Sequence, residues 1–399
     1  MQYIEVGTAA YRKTLLSMLL GSLVTFAILY SPQPLISEFS RQYQVSPSTA
    51  SFTISFATGA LAITMLFVSL ISNAWGRKGI MSISLFATSV LAILSAFCSD
   101  FHLLLWVRLF EGVSLAGFPA IAMTYLNEEI APRSIGGVMG VYVAGTAVGG
   151  FAGRMIVSAL TDYFSWHLAL LVLGIFSMVC SVLFWKMLPE SNHFRPVSIT
   201  LKHWASGFRR GLGARSLLSL YGIGFLLLGA YATLFNYIAY PLTQAPYNLS
   251  QTVIGFLFIL QLIGSWSSVL FGKWADRVSR TNLIVAGVIL LFFGAVLTLN
   301  PLLLVKIIGL TLFACGFFAG HTVASGWVGR VAPPGDKAYA SSLYLLFYYT
   351  GSSVVGWAGG LFLSRFGWTG IISMICGVLL LTVLLSMQIV RSSHVPERA

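Results

Sequence analysis

The sequence predicts an all-α membrane protein in which twelve transmembrane helices form two pseudo-symmetric six-helix bundles, and three observations predict it. Charged residues make up only 9% of the chain and apolar ones 57%, too little charge to cover a water-facing surface, so lipid is the main solvent. Charge-free runs that match the roughly 20 residues a helix needs to cross hydrocarbon recur along the chain. One such stretch, between Arg215 and Lys273, is interrupted only by the turn-like segment from Pro241 to Ser250. The chain also repeats itself at a spacing of roughly two hundred residues. Ser69–Lys78 (S-L-I-S-N-A-W-G-R-K) is echoed by Gly272–Thr281 (G-K-W-A-D-R-V-S-R-T), Val45-Ser46 by Leu249-Ser250, Ala131-Pro132 by Ala332-Pro333, and Trp166 by Trp368. Two similar halves in one membrane chain are the arrangement that alternating access requires.

The apolar runs place the first six spans at Leu15–Leu35, Pro47–Ser72, Gly79–Cys98, Leu103–Met123, Ser134–Leu160 and Trp166–Trp185. The second half repeats them at Ser216–Leu242, Ser250–Gly272, Asn282–Leu299, Leu302–Gly326, Ala338–Leu363 and Trp368–Val390. The expected domains are therefore an N-terminal bundle over 1–188, a basic cytoplasmic linker over 189–215 and a C-terminal bundle over 216–399. Within the linker, His193, Arg195, Lys202, His203, Arg209 and Arg210 are interspersed with Trp204 and Phe208, which suits either an interfacial amphipathic helix or a solvated connector.

Lys and Arg accumulate in loops on one side if both termini are cytoplasmic, as the positive-inside rule requires. That side includes Arg77, Lys78, Lys273, Arg277, Arg280, Arg330 and Lys337, against Arg41 and Arg365 outside. The expected location is a bacterial inner membrane. The net charge of +12 is thereby a matter of topology, and nucleic acid is not an expected partner. Cys98, Cys180, Cys315 and Cys376 fall in apolar helices and read as core thiols, with no metal site expected. The run after Arg12 and Lys13 is too long for a signal peptide and is expected to stay attached as the first helix.

Glycines cluster where helices are expected to touch. Gly145, Gly149, Gly150 and Gly153 strip one face of the fifth span, so that backbones approach and van der Waals packing does the work that the hydrophobic effect cannot do in lipid. Gly351, Gly356, Gly359 and Gly360 do the same in the second half.

The segment G-K-W-A-D-R-V-S-R from Gly272 to Arg280 lies in the turn between the second and third spans of its half. With Gly272, Asp276, Arg277 and Arg280 in place, it resembles the signature loop of the major facilitator superfamily, and Gly76, Arg77 and Lys78 match the end of the same pattern in the first half. With the duplication and the twelve spans, the resemblance covers nearly the whole chain, in particular the superfamily's bacterial drug and sugar (arabinose-type) efflux branch. It implies that the loop latches the state closed to the cytoplasm. Chemically, an acid can accept hydrogen bonds at a helix end while the basic groups reach neighbouring carbonyls or acids. The first copy has Ser69 and Asn73 where the pattern has Gly and Asp. Asn73 cannot hold a charge, so the second copy is the expected latch, and Arg77 and Lys78 also serve as positive-inside anchors.

The fourth span carries Arg108-Leu109-Phe110-Glu111-Gly112, placing Arg108 and Glu111 three apart on one helix face. Charges at membrane depth face the protein interior or a wet cavity. R-x-x-E-G resembles the superfamily's fourth-helix motif, usually R-x-x-Q-G, whose Arg the resemblance links to proton coupling. Glu111 can carry a proton where the usual Gln cannot, and a static ion pair is the competing reading. In the fifth span, Gly145–Gly150 (G-T-A-V-G-G) resembles the antiporter motif of the superfamily's exporters, with Thr146 in place of the usual proline, so no kink is expected there. Arg154 follows at a depth comparable with Arg108, where it binds an anion, neutralises Glu111 or snorkels outward.

Polar side chains at membrane depth need internal partners or water, which makes Gln33, Asn236, Tyr237, Gln261, Tyr344, Tyr348, Arg154 and His321 the candidate lining of a substrate cavity. His321 as a hydrogen-bonded core residue is the plainer alternative. Tyr30-Ser31-Pro32-Gln33-Pro34 in the first span, and Pro241 after Tyr240 in the seventh, are expected helix breaks. Asp162 is expected to cap a helix, and Lys306 to snorkel from its helix end.

The expected function is secondary active transport by alternating access, most simply a monomeric proton-coupled antiporter exporting small molecules, drug-like compounds or sugars and metabolites. An uptake symporter or uniporter for a small anion is the alternative. The partners are a small-molecule substrate, H+ and membrane lipids. The proton gradient is the energy source and no cofactor is expected. Six scattered histidines without acids at ligand spacing offer no enzyme chemistry, and no nucleotide-binding loop is present.

Overall fold

A computed structural model describes residues 3–194, 201–333 and 335–392; for residues 69, 70, 73–75, 201–204 and 390–392 it describes the backbone alone. The chain is helical almost throughout. The order is α1 (Ala9–Tyr30), α2 (Ile36–Gln42), α3 (Pro47–Ala50), α4 (Phe52–Trp75), α5 (Arg77–Ser95), α6 (Phe101–Leu115), α7 (Gly117–Glu129), α8 (Ile135–Tyr163) and α9 (Trp166–Met187). There follow α10 (Leu201–Gly213), α11 (Arg215–Tyr237), α12 (Ala239–Thr243), α13 (Gln251–Leu257), α14 (Ile259–Trp274), α15 (Arg280–Leu297), α16 (Leu303–Val331) and α17 (Lys337–Ser392).

Among the described residues, ten helical segments are long and apolar enough to cross a membrane. One of them, 337–389, is two spans, because Gly367 at φ 63° turns the chain inside α17. The shorter apolar helix 52–68 in α4 completes the twelve.

Several boundaries differ from the expected spans for identifiable reasons. The first span stops at Tyr30 because Pro32 and Pro34 cannot donate the next helical hydrogen bonds, and Gln33–Leu35 continues as a single 3-10 turn. The seventh likewise breaks at Ile238, before Pro241. The fourth, expected as one helix, is α6 and α7 meeting at Ala116, three residues before Pro119. By contrast α8, which lacks the motif proline, runs unbroken for 29 residues. Part of the basic linker is helical, as α10, and its Gly207 and Gly211 lie against Tyr339 and Leu343 of α17.

The chain divides into two compact units, one of Met1–Leu35, Phe56–Ile199 and Gln251–Phe256, the other of Ile36–Ser55, Thr200–Ser250 and Leu257–Ala399. In the first, α1 packs on α8 and α9, and α5 on α9. Glycines set that closeness: a Cβ on Gly153 would stand 2.5 Å from the carbonyl oxygen of Ala27, and one on Gly149 2.7 Å from the Leu23 Cα. Asp162 there accepts from the Thr252 backbone N–H at 3.2 Å and hydroxyl at 2.7 Å, capping α13. In the second unit α11 packs on α17, and α16 on α14 and α15. Ser55 and Ser353 exchange hydrogen bonds, each hydroxyl donating to the other's carbonyl at 3.1 and 3.0 Å. Lys306 does not snorkel. It is buried, donates to the Thr298 carbonyl and lies 5.5 Å from the centre of the Tyr247 ring.

Candidate transport and coupling site

Pro32 has no N–H, so the carbonyl four residues earlier, Ile28, loses its helical partner, and the irregular turn that follows disturbs Leu29 as well. In a hydrocarbon environment those oxygens must be satisfied from within the protein. The Ser31 hydroxyl donates to the Ile28 carbonyl at 3.1 Å, and Arg108 of α6 reaches both oxygens. Its Nη1 donates to the Ile28 carbonyl at 3.3 Å and its Nη2 to that of Leu29 at 2.9 Å. The same Nη1 donates to Glu111, one turn along α6. Arg108 is 2% exposed and Glu111 1%, so the pair is fully withdrawn from solvent. Its neighbour Gly112 has no side chain because the backbone of Ala57 in α4 occupies the space where a Cβ would sit.

A second arginine grips the other side of the same break. Arg154 of α8 donates from Nε to the Gln33 side-chain oxygen at 2.7 Å and from Nη1 to the Gly150 carbonyl at 2.8 Å. Its guanidinium also lies 4.4 Å from the centre of the Tyr30 ring. Arg154 therefore points inward and is engaged by α1 rather than snorkelling. The antiporter-like glycines have separate tasks. Gly145 and Gly149 admit Ser22 and Leu23 of α1, and Gly150 supplies the carbonyl that holds Arg154.

In the second unit, Asn236 and Tyr237 end α11 against α17, where the Tyr237 hydroxyl donates to the Gly356 carbonyl at 2.9 Å and both side chains are buried. His321, Tyr344 and Tyr348 come together: His321 Nδ1 is 3.0 Å from the Tyr344 hydroxyl, and the His321 and Tyr348 rings are 4.5 Å apart. Gln261 of α14 is 8% exposed and its Nε2 has no hydrogen-bond partner.

The two loop motifs differ in construction. Gly76 at φ 89° starts α5, a backbone conformation that favours glycine. Arg77 then forms a two-pronged ion pair with Glu128 at the end of α7, Nε to Oε2 at 3.0 Å and Nη2 to Oε1 at 2.8 Å, while Nη1 donates to Ser72 at 2.6 Å. Lys78 pairs with Glu190 at 2.8 Å. In the other copy, Asp276 pairs with Arg330 at 2.6 Å, with the two side chains 64% and 49% exposed. Gly272 lies beside Thr322, Arg277 is exposed and Arg280 is buried. The side chain of Asn73 lies outside the described residues. The ion pair of the first copy is thus the more buried of the two, and Glu128 supplies its acid from a different helix.

The sequence profile of the Major Facilitator Superfamily matches residues 18–239 and 220–398. The chain belongs to the major facilitator superfamily. It is 45% identical over 398 residues to the uncharacterized MFS-type transporter YybF of Bacillus subtilis (strain 168), covering 100% of this chain and 98% of that protein. It is 39% identical over 393 residues to the inner membrane transport protein YnfM of Escherichia coli (strain K12), covering 98% and 94%. In fold it is similar, with a TM-score of 0.79 and 12% identity over 97% of this chain and 98% of the other, to a bacterial homolog of the human lysosomal transporter Spinster in an inward-facing, occupied conformation. It is a multi-pass membrane transporter.

Within this superfamily transporter the residues singled out from sequence fall into separate clusters. Arg108, Glu111, Arg154 and Gln33 meet around the break in α1, whereas His321, Tyr344 and Tyr348 meet in the second unit. Two functional candidates were not legible as such. Glu128 holds Arg77. Its neighbour Glu129 is buried and accepts from the His193 backbone N–H at 2.8 Å and lies 3.1 Å from His193 Nδ1. The adjacent pair Glu128-Glu129, the first acids after Glu111, was the available signal.

Proposed function

We propose that this transporter is a proton-coupled antiporter that exports small molecules by alternating access, with Glu111 exchanging the proton and Arg108 tuning it. The observation that carries this reading is the shared guanidinium of Arg108, which holds both Glu111 and the carbonyls at the break in α1. Neutralising Glu111 removes one of the groups competing for that guanidinium, so a proton on Glu111 changes how firmly Arg108 holds α1. The antiporter-like glycines on α8 support export. The loop positions of Lys and Arg support a bacterial inner membrane location with both termini cytoplasmic. Uptake of a small anion would use Arg154 as the binding cation, and its engagement by Gln33, Gly150 and Tyr30 favours a structural task instead.

The test is purified protein in liposomes with an imposed pH gradient, screened with cationic dyes, sugars and amino-acid derivatives. Gradient-driven movement that Glu111→Gln loses is the expected result. Transport by Glu111→Gln with unchanged pH dependence would remove Glu111 from proton coupling.

A further inference from the structure

The second unit contains a continuous track of aromatic rings to which no role has been given. The Phe258 ring lies 5.9 Å from Phe235, Phe235 lies 4.8 Å from Tyr231, and Tyr231 stacks on Phe317 at 3.9 Å. Phe317 stacks on His321 at 5.8 Å with their planes only 6° apart, and His321 meets Tyr348 at 4.5 Å. Core packing accounts for the first four rings, which are all buried. It does not account for the polar groups at either end.

At one end, His321 and Tyr348 are only half-buried, on helix faces where Phe317, Ala324 and Tyr344 are buried. Tyr344 fixes the imidazole through Nδ1, and the other ring nitrogen, Nε2, makes no hydrogen bond among the described residues. At the other end, Gln261 sits one helical turn beyond Phe258 with its Nε2 buried and unpartnered. A buried amide without a partner costs stability, and an apolar side chain would serve packing better. At the His321 end, a ligand that brings its own hydrogen-bonding group can meet Nε2. The charge pattern narrows the ligand further. From Arg215 to Ser392 the acids are Asp276 and Asp336, and both lie outside the helices. A cationic guest would meet ring faces in this unit but no carboxylate within the helices.

We infer that His321 and Tyr348 form a binding subsite for a neutral, planar aromatic compound with a hydrogen-bonding edge. The inference rests on the transporter reading above and narrows its substrates to aromatic compounds over sugars. The flat ring stacks on Tyr348 and His321, and its polar edge meets His321 Nε2.

The experiment uses the full chain in lipid nanodiscs, with empty nanodiscs subtracted, and three probes: 2-quinolinone, N-methylquinolinium and L-arabinose. The expected result is saturable 2-quinolinone binding that the charged analogue matches poorly and arabinose does not displace. Tyr348→Leu and His321→Leu should each weaken it by about tenfold or more, while Tyr348→Phe, which keeps the ring, retains it. Non-saturable binding, or wild-type affinity in Tyr348→Leu and His321→Leu, would overturn the proposal. The two readings fail separately. Binding with these mutant effects but without pH-driven transport would keep the subsite and remove proton antiport. Arabinose moved by a pH gradient, without 2-quinolinone binding, would do the reverse.

Discussion

Arg108 donates to the carbonyl oxygen of Ile28, the one group in the first helix that Pro32 deprives of its partner. An arginine in one helix thus completes the hydrogen bonding of another, and a double-mutant cycle can measure how far. Arg108→Leu strands Glu111 as a buried charge and takes a donor from the Ile28 and Leu29 carbonyls, the first of which keeps the Ser31 hydroxyl, a class of change that costs about 3–5 kcal/mol. Arg108→Leu with Glu111→Leu removes both charges and should recover a large part of that loss. Thermal unfolding of the purified variants checks the order: the single variant lowest, the double variant between it and wild type.

Pro32→Ala restores an N–H in reach of the Ile28 carbonyl. In that background Arg108→Leu should cost less than in the wild type, by about 1 kcal/mol, the net worth of a hydrogen bond. Equal costs in both backgrounds would show that the bond from Arg108 to the Ile28 carbonyl adds nothing to stability, leaving Glu111 and the Leu29 carbonyl as its partners.

The seam between α1 and α8 is a backbone contact at Gly153 and Gly149. Gly153→Val forces the helices apart and should lower the melting temperature of the protein by several degrees, since overpacking costs about 1–3 kcal/mol. Gly140→Val on the same helix is the control: no atom lies within 4 Å of a Cβ built there, so its effect should be small.

The two loop pairs should answer mutation unequally. Glu128→Gln breaks a two-pronged, largely buried ion pair and should cut transport and stability together, and Arg77→Lys should do nearly as much because an ammonium cannot reproduce the fork. Asp276→Asn opens a pair that is about half exposed and should change stability by less than about 1 kcal/mol. Transport assays and melting curves on the three variants test the ranking.

The spans were legible because lipid imposes a simple rule, an uncharged run of fixed length, and the breaks at Pro32 and Pro241 were legible because proline cannot donate. The pairing of Arg108 with Glu111 was legible from their spacing on a helix. What Arg108 does to Ile28 and Leu29 was not, since a backbone carbonyl carries no residue code and its partner lies far away in the chain. The same reason hid Glu128: the latch motif is local in sequence, whereas its acid comes from another helix. Lys306 was misjudged because distance from a helix end says nothing about whether Thr298 and Tyr247 are folded over it.

The capping of α13 by Asp162 bears on how the chain is made. A ribosome delivers residues in order, yet Gln251–Phe256 belongs with the first unit and Ile36–Ser55 with the second. The first unit therefore lacks its last piece until the eighth span has been synthesised, and Ser55 waits for Ser353 until the eleventh has. A chain stopped after the sixth span would therefore leave Asp162 without the Thr252 groups that donate to it.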